Sequence, residues 1–175
     1  MAEHHFTLIL DGDPEAHMDE LFEAGCDDAT FGSVDGVAYA EFDREAPTLS
    51  EAIGSAIRNV ESVLGPRVLR IEPDDLVTAS EIAQRLGRTR ESVRLLIAGE
   101  RGAGDFPRPM SHVRTRNRLW RWSEVAAWAG VVDPSVLEGA RVIAALNAAL
   151  ELRSAARELP ADAHSLIASL KRSVA

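Results

Sequence analysis

The sequence predicts an α+β protein in three parts: a small α/β unit over residues 1–73, a helix-turn-helix with a following β-hairpin over residues 76–130, and an α-helical tail over residues 131–175. Three observations predict it. Along the first part the apolar period switches between the two-residue alternation of strands and the 3.6-residue repeat of helices. The middle part places a capping box, a glycine turn and a second cap at the spacing of two short helices. Charge is divided to match: residues 1–75 hold 18 Asp/Glu against 4 Arg (net −14), residues 76–130 hold 10 Arg against 5 acids (net +5), and residues 131–175 balance at 5 and 5, giving −9 for the whole chain. A basic segment beside a strongly acidic one offers two surfaces with different partners.

In the first part, His5–Leu10 suits a strand, and Asp11-Gly-Asp13-Pro14 supplies a turn, a capping carboxylate and a Pro at the first helical position. Met18, Leu21 and Phe22 are expected on one inward helical face that stops near Gly25. Ala29–Ser33 and Val37–Phe42 flank Val34-Asp35-Gly36, a hairpin signal in which Asp-Gly supplies the positive φ. Thr48–Leu64 carries apolar residues at 49, 53, 56/57, 60 and 63/64, a helix closed by Gly65-Pro66, and Arg67–Ile71 is a last strand. The order βαββαβ is that of the ferredoxin-like sandwich, which hosts too many activities to imply one. Glu72–Asp75 reads as a linker. The tail reads as two helices with a break at Leu159-Pro160-Ala-Asp162, an apolar stripe of Leu137, Ala140, Ala144 and Leu146/Leu150, and a second of Leu166, Ile167, Leu170 and Val174.

The middle part carries the chemistry. Thr78-Ala-Ser-Glu81 is a capping box, the first helix runs through Ile82, Ala83 and Leu86, and Gly87 ends it. Thr89 caps a second helix, Arg90–Ala98, with Val93 and Leu96/Ile97 inward and Thr89, Arg90, Glu91 and Arg94 outward, Leu95 beside them. Such a helix enters the DNA major groove by its N-terminal part, where Arg reads guanine O6 and N7 with two hydrogen bonds; Arg90 and Arg94, one turn apart, suit that role. Phe106-Pro-Arg-Pro109 then leads into a β-hairpin of His112–Thr115 and Arg118–Trp122 with its tip at Arg116-Asn117, decorated by Arg114, Arg116, Arg118 and Arg121. This is the composition of a wing on a phosphate backbone or in the minor groove. Ser123 is expected to cap a short helix whose Val125 and Trp128 close the core.

On LVTASEIAQRLGRTRESVRLLI, on FPRP and on RLWRWSEVAAWA, taken in that order, the segment resembles the AlpA and excisionase group of winged helix-turn-helix proteins, relatives of the MerR-type DNA-binding domain. The resemblance covers about 55 of the 175 residues. It implies double-stranded DNA bound by the Thr89–Ala98 helix in the major groove, with the Arg114–Arg118 wing beside it. The chain departs from that group in its acidic and helical flanks and in the long, glycine-rich Ala98–Asp105 connector.

Other chemistries find little support. The three Trp could stack on bases, but Trp122 and Trp128 are read as core, with Trp120 open between the two. His4 and His5 point to opposite strand faces, no Cys/His cluster has ligand spacing, and no metal or other cofactor is expected. Asp11, Asp13, Asp27 and Asp28 sit in turn and cap positions. Gly99–Gly104 follows a helix and lacks the order of a phosphate loop, and no nucleophilic triad has sequence support, so the chain is not expected to be an enzyme. Cys26 stands alone, no apolar run spans a membrane and no signal peptide is read, so a cytoplasmic location is expected, nucleoid-associated when on DNA.

These readings lead to a sequence-specific DNA-binding protein, a transcriptional regulator or architectural factor. It is expected to be a homodimer, because one module reads few base pairs, and to pair through the Leu137–Leu150 stripe. The alternative is a protein-interaction module, an antitoxin or adaptor, whose residues 1–75 cover a basic protein partner or the chain's own Arg wing while DNA binding is autoregulatory. A ligand-sensing role of the ACT type for the α/β unit ranks last.

Overall fold

Strand alternation organises the N-terminal unit. In the computed structural model, which describes residues 1–65, 67–130, 133–156 and 159–172, β1 (Ala2–Leu10) buries Phe6, Leu8 and Leu10 and leaves His5 exposed. β3 (Val37–Ala46) likewise buries every second residue from Ala38 to Ala46. The two pair antiparallel with Phe6 opposite Phe42, which stacks the rings with centroids 5.4 Å apart. β2 (Ala29–Val34) joins β3 through Asp35-Gly36, whose φ values of 53° and 81° make the two-residue turn this dipeptide favours. β4 (Val68–Glu72) flanks β1, so the sheet order is β2-β3-β1-β4. A 3-10 turn (Glu15–His17) leads into α1 (Met18–Glu23). Thr48 starts α2 (Leu49–Leu64) by accepting the Glu51 N–H at 3.2 Å. α2 buries Ala52, Ile53, Ala56 and Val60, and Gly65 ends it; Pro66 lies outside the described residues.

One expectation for this unit is corrected. Met18 and Phe22 are exposed and Leu21 alone is buried on α1. A six-residue helix makes fewer than two turns, so Leu21 and the buried Pro14 supply its inward contacts. Asp28 accepts from Arg44 Nε and Nη2, both at 2.7 Å. Arg44 lies on the inward face of β3, 7% exposed, and also donates to the Gly25 carbonyl and Ser55 Oγ at 2.6 and 3.1 Å. Its guanidinium stands 4.8 Å from the Phe42 ring centroid.

The tail helices are α6 (Pro134–Ala155) and α7 (Ala161–Arg172). In α6 the buried line is Ile143, Asn147 and Leu150, while Leu137, Ala140, Ala144 and Leu146 of the expected stripe are half-buried. Asn147 Oδ1 accepts the Ile71 N–H at 2.8 Å and its Nδ2 donates to the Ile71 carbonyl at 2.9 Å. This side-chain amide takes the place of a neighbouring strand. Arg153 donates to the Val68 carbonyl at 2.9 Å and to both Glu61 oxygens, and Arg70 pairs with Glu151 at 2.6 Å. The β4 edge is therefore closed, as an edge strand must be to avoid pairing with another chain. These contacts account for the division of the chain into Met1–Ile71 with Ala145–Ala175 and, separately, Glu72–Ala144, where the sequence suggests a tail beginning at 131. On α7, Leu166 and Leu170 are each 60% exposed; Val174 lies outside the described residues.

The second unit contains β5 (Leu76–Val77), α3 (Ala79–Arg85), α4 (Arg90–Ile97), β6 (Trp120–Arg121) and α5 (Trp122–Ala129). β5 and β6 pair antiparallel. Val77, Ile82, Ala83, Val93, Trp120 and Val125 form its core, with Leu86, Ile97, Phe106 and Trp122 packed around them. The chain is thus mixed α+β with a four-stranded antiparallel sheet, and no helix among the described residues is long and apolar enough to cross a membrane.

Candidate nucleic-acid interface

Local sequence sets the two helices of this unit. Thr78 accepts the Glu81 N–H at 3.3 Å and the Glu81 carboxylate accepts the Thr78 N–H at 2.7 Å, completing the capping box. At the other end of α3, Gly87 (φ 60°) lets its own N–H reach the Gln84 carbonyl and the Arg88 N–H reach the Ala83 carbonyl at 2.8 Å. The chain reverses in these few residues. Thr89 then caps α4 by accepting the Ser92 N–H at 3.1 Å. Ala83 and Val93 are buried where α3 meets α4, the small residue allowing close approach. Val93 and Leu96 face inward; Thr89, Arg90, Glu91 and Arg94 are exposed and Leu95 is half-buried.

The outward side chains are not equivalent. Arg94 Nε donates to both Glu91 carboxylate oxygens, at 3.1 and 3.0 Å, and its Nη2 donates to Oε1 at 2.9 Å. Glu100 Oε2 stands 3.7 Å from the same Nη2. The hydrogen bond to Arg94 foremost holds the Glu91 carboxyl below its ordinary range, and Glu91 in turn raises the Arg94 guanidinium. Arg90 is exposed with no side-chain partner among the described residues.

The expected wing is shorter than a two-stranded hairpin. Ser111 and Leu119 form a single bridge, Met110 N–H donates to the Leu119 carbonyl at 2.7 Å, and residues 112–118 form a loop. The strands expected at His112–Thr115 and Arg118–Trp122 therefore reduce to that bridge and to β6, because the ladder partner of Trp120 and Arg121 is β5. Within the loop the Thr115 N–H and Oγ1 both donate to the His112 carbonyl, at 2.9 and 3.0 Å, and Asn117 N–H donates to Thr115 Oγ1 at 3.2 Å. Arg114, Arg116, Asn117 and Arg118 are exposed, and the three arginines have no side-chain partner among the described residues. No acid lies between Asp105 and Ser123.

Other expectations here are corrected by one buried carboxylate. Asp75, read as linker, is 1% exposed and accepts the Ser123 N–H at 2.7 Å, the Ser123 hydroxyl at 3.2 Å and Arg121 Nη1 at 3.2 Å. Its carbonyl accepts the Trp122 N–H at 2.6 Å. Ser123 is therefore buried and does not cap α5, which begins at Trp122, and Arg121 is a structural cation rather than a wing contact. Trp120 is core, 3% exposed, with Nε1 donating to the Pro107 carbonyl at 3.1 Å. The buried indole thereby anchors Phe106-Pro-Arg-Pro109. Trp128 packs edge-on to Phe106, ring centroids 4.9 Å apart, and donates to Asp105 at 2.9 Å. Arg85 lies over the Trp122 ring at 5.2 Å.

Charge becomes local once the partners are known. Residues 72–144 hold 11 Arg against 10 acids, yet Arg85 and Arg121 are engaged within the unit. The exposed arginines without partners among the described residues include Arg88, Arg101 and Arg108, which lie outside the expected helix and wing positions. Their number was legible; which of the ten lacked a partner was not. No group of three His, Cys, Asp or Glu among the described residues is placed to hold a metal ion. No family model, curated protein or solved structure compared with the chain matches it.

Proposed function

We propose that the chain is a sequence-specific double-stranded DNA-binding protein, a homodimeric transcriptional regulator or architectural factor rather than an enzyme, acting in the cytoplasm on the nucleoid. In this reading residues 76–130 are a winged helix-turn-helix and residues 1–73 a ferredoxin-like sandwich. One observation carries it: an outward α4 face of Thr89, Arg90, Glu91 and Arg94 on a well-packed helix pair, followed by an acid-free loop whose Arg114, Arg116 and Arg118 have no partner among the described residues. The helix face supplies base contacts and the loop supplies phosphate contacts. The test is fluorescence anisotropy of labelled duplex DNA with the full chain and with its Arg114→Ala/Arg116→Ala/Arg118→Ala variant across a salt series. Each lost phosphate contact makes the negative slope of log K against log salt shallower by about 0.9. Absence of salt-sensitive binding by the wild-type chain at low salt would remove the proposal.

A second observation favours an added protein partner. Glu3 pairs directly with Glu45 on the sheet, and Glu41 and Asp43 follow on the same side of β3. Like charges set opposite one another cost stability, and a basic protein surface would relieve that cost. Equal binding of a polylysine peptide by the wild-type chain and by a Glu3→Gln/Glu41→Gln/Glu45→Gln variant would remove this reading.

A further inference from the structure

The Glu91–Arg94 contact has a geometry that its strength does not explain. Both side chains are more than half exposed, 66% and 56%, and ion pairs so placed contribute little to stability. Yet Arg94 meets Glu91 through one defined edge, Nε with Nη2, at three distances between 2.9 and 3.1 Å. A guanidinium is planar and presents two donor edges. With the Nε–Nη2 edge occupied, the end edge, Nη1 with the second Nη2 hydrogen, is the one left to form a fork with guanine O6 and N7.

The second carboxylate is placed by local backbone chemistry. α4 ends at Ala98, and Gly99 (φ 72°) allows the Glu100 N–H to donate to the Leu95 carbonyl at 2.9 Å. This turn brings Glu100 Oε2 to 3.7 Å from Arg94 Nη2. Two acids from the same helix and its C-terminal turn thus gather about one cation, while Arg90, one turn earlier, has none among the described residues.

We infer that Glu91 is a positioning residue for base recognition: it holds the Arg94 guanidinium by its side edge so that the end edge is presented to a guanine, and it makes no base contact of its own. This rests on the DNA-binding reading and deepens it. Arg94 becomes the specificity-determining cation of the α4 face. Pre-ordering a long side chain removes part of the ordering cost on binding. A carboxylate close to the phosphate backbone also weakens binding to every duplex alike. Removing Glu91 therefore has opposite effects on two readouts: discrimination falls while affinity for random duplex holds or rises. A purely structural role would lower both.

The experiment begins by selecting the preferred duplex of the full-length wild-type chain from a random pool. Wild type, Glu91→Ala, Glu91→Gln, Arg94→Ala and the Glu91→Ala/Arg94→Ala double variant are then compared on that site and on sites with each G·C pair replaced. Arg94→Ala is expected to lose discrimination at one G·C pair, about 5- to 150-fold for a bidentate contact. Glu91→Ala is expected to lose a part of it at the same pair, roughly 3- to 10-fold, with Glu91→Gln between it and wild type because its amide oxygen still accepts from Nε. The double variant should discriminate no worse than Arg94→Ala. Unchanged discrimination in Glu91→Ala, a further loss in the double variant, or a uniform fall in affinity for all duplexes would overturn the inference while leaving DNA binding intact. No duplex binding by the wild-type chain would overturn the DNA-binding reading and this inference with it.

Discussion

Asp75→Ala is the sharpest test of how the candidate interface is built. The carboxylate is 1% exposed and holds three donors: the Ser123 N–H at 2.7 Å, the Ser123 hydroxyl at 3.2 Å and Arg121 Nη1 at 3.2 Å. The first contact satisfies a backbone donor in the first turn of α5, the task of an N-cap side chain, whose loss costs about 1 kcal/mol. Ser123 is itself buried, so its stranded N–H and hydroxyl add a desolvation penalty of about 1–3 kcal/mol. Arg121, a third exposed, regains water, and its share is discounted to roughly 0–1 kcal/mol. The expected loss is about 2–5 kcal/mol, and Asp75→Asn, which keeps one acceptor for the Ser123 N–H, should lose about half of that. Urea unfolding followed by Trp fluorescence reads this unit alone, because Trp120, Trp122 and Trp128 are the only tryptophans in the chain. A loss in Asp75→Ala below about 1 kcal/mol would refute the argument, since it would mean that the buried donors find other partners at no cost.

Three further outcomes are expected, all in the N-terminal unit. Asn147→Ala strands the buried Ile71 N–H and carbonyl, so it should destabilise by about 2–4 kcal/mol, read by far-UV circular dichroism during urea unfolding; Asn147→Asp, which cannot donate, should not restore it. His5 donates to Asp43 at 2.7 Å with Glu41 at 3.3 Å, and that hydrogen bond foremost raises its pKa above 6.5. A raised folded-state pKa contributes stability that is fully present below 6.5 and is lost as pH rises through the folded value. The NMR midpoint of His5 should therefore lie above 6.5 and fall in Asp43→Asn; a wild-type midpoint at or below 6.5 would contradict the contact. Burial pushes the Cys26 thiol up to about 11, so at neutral pH a disulfide reagent should label it only when the unit opens. Labelling at the rate of a free thiol in the native chain would show that Cys26 is not buried as described.

What the sequence settled by itself was whatever neighbours in the chain decide. The Asp35-Gly36 turn, the Thr48 and Thr89 caps, the Thr78–Glu81 box and the Gly87 reversal each close within six residues, and the inward positions of α2 and α4 follow from the helical repeat. The acid-free loop bearing Arg114, Arg116 and Arg118 was legible for the same reason. Tertiary structure decided where polar groups find partners far along the chain. Asp75 meets Ser123 across 48 residues, Asn147 meets Ile71 across 76, and β6 pairs with β5 instead of extending the wing. An Asp in a linker, an Asn in a helix or an Arg in a hairpin has no local signature of being buried. Its environment depends on which elements become neighbours, and there an unpaired polar group is costly enough to impose a partner. Local periodicity therefore set the helices and the outward face of α4, while packing decided the strand partners of the expected wing and which arginines are held within the fold or, among the described residues, face solvent without a partner.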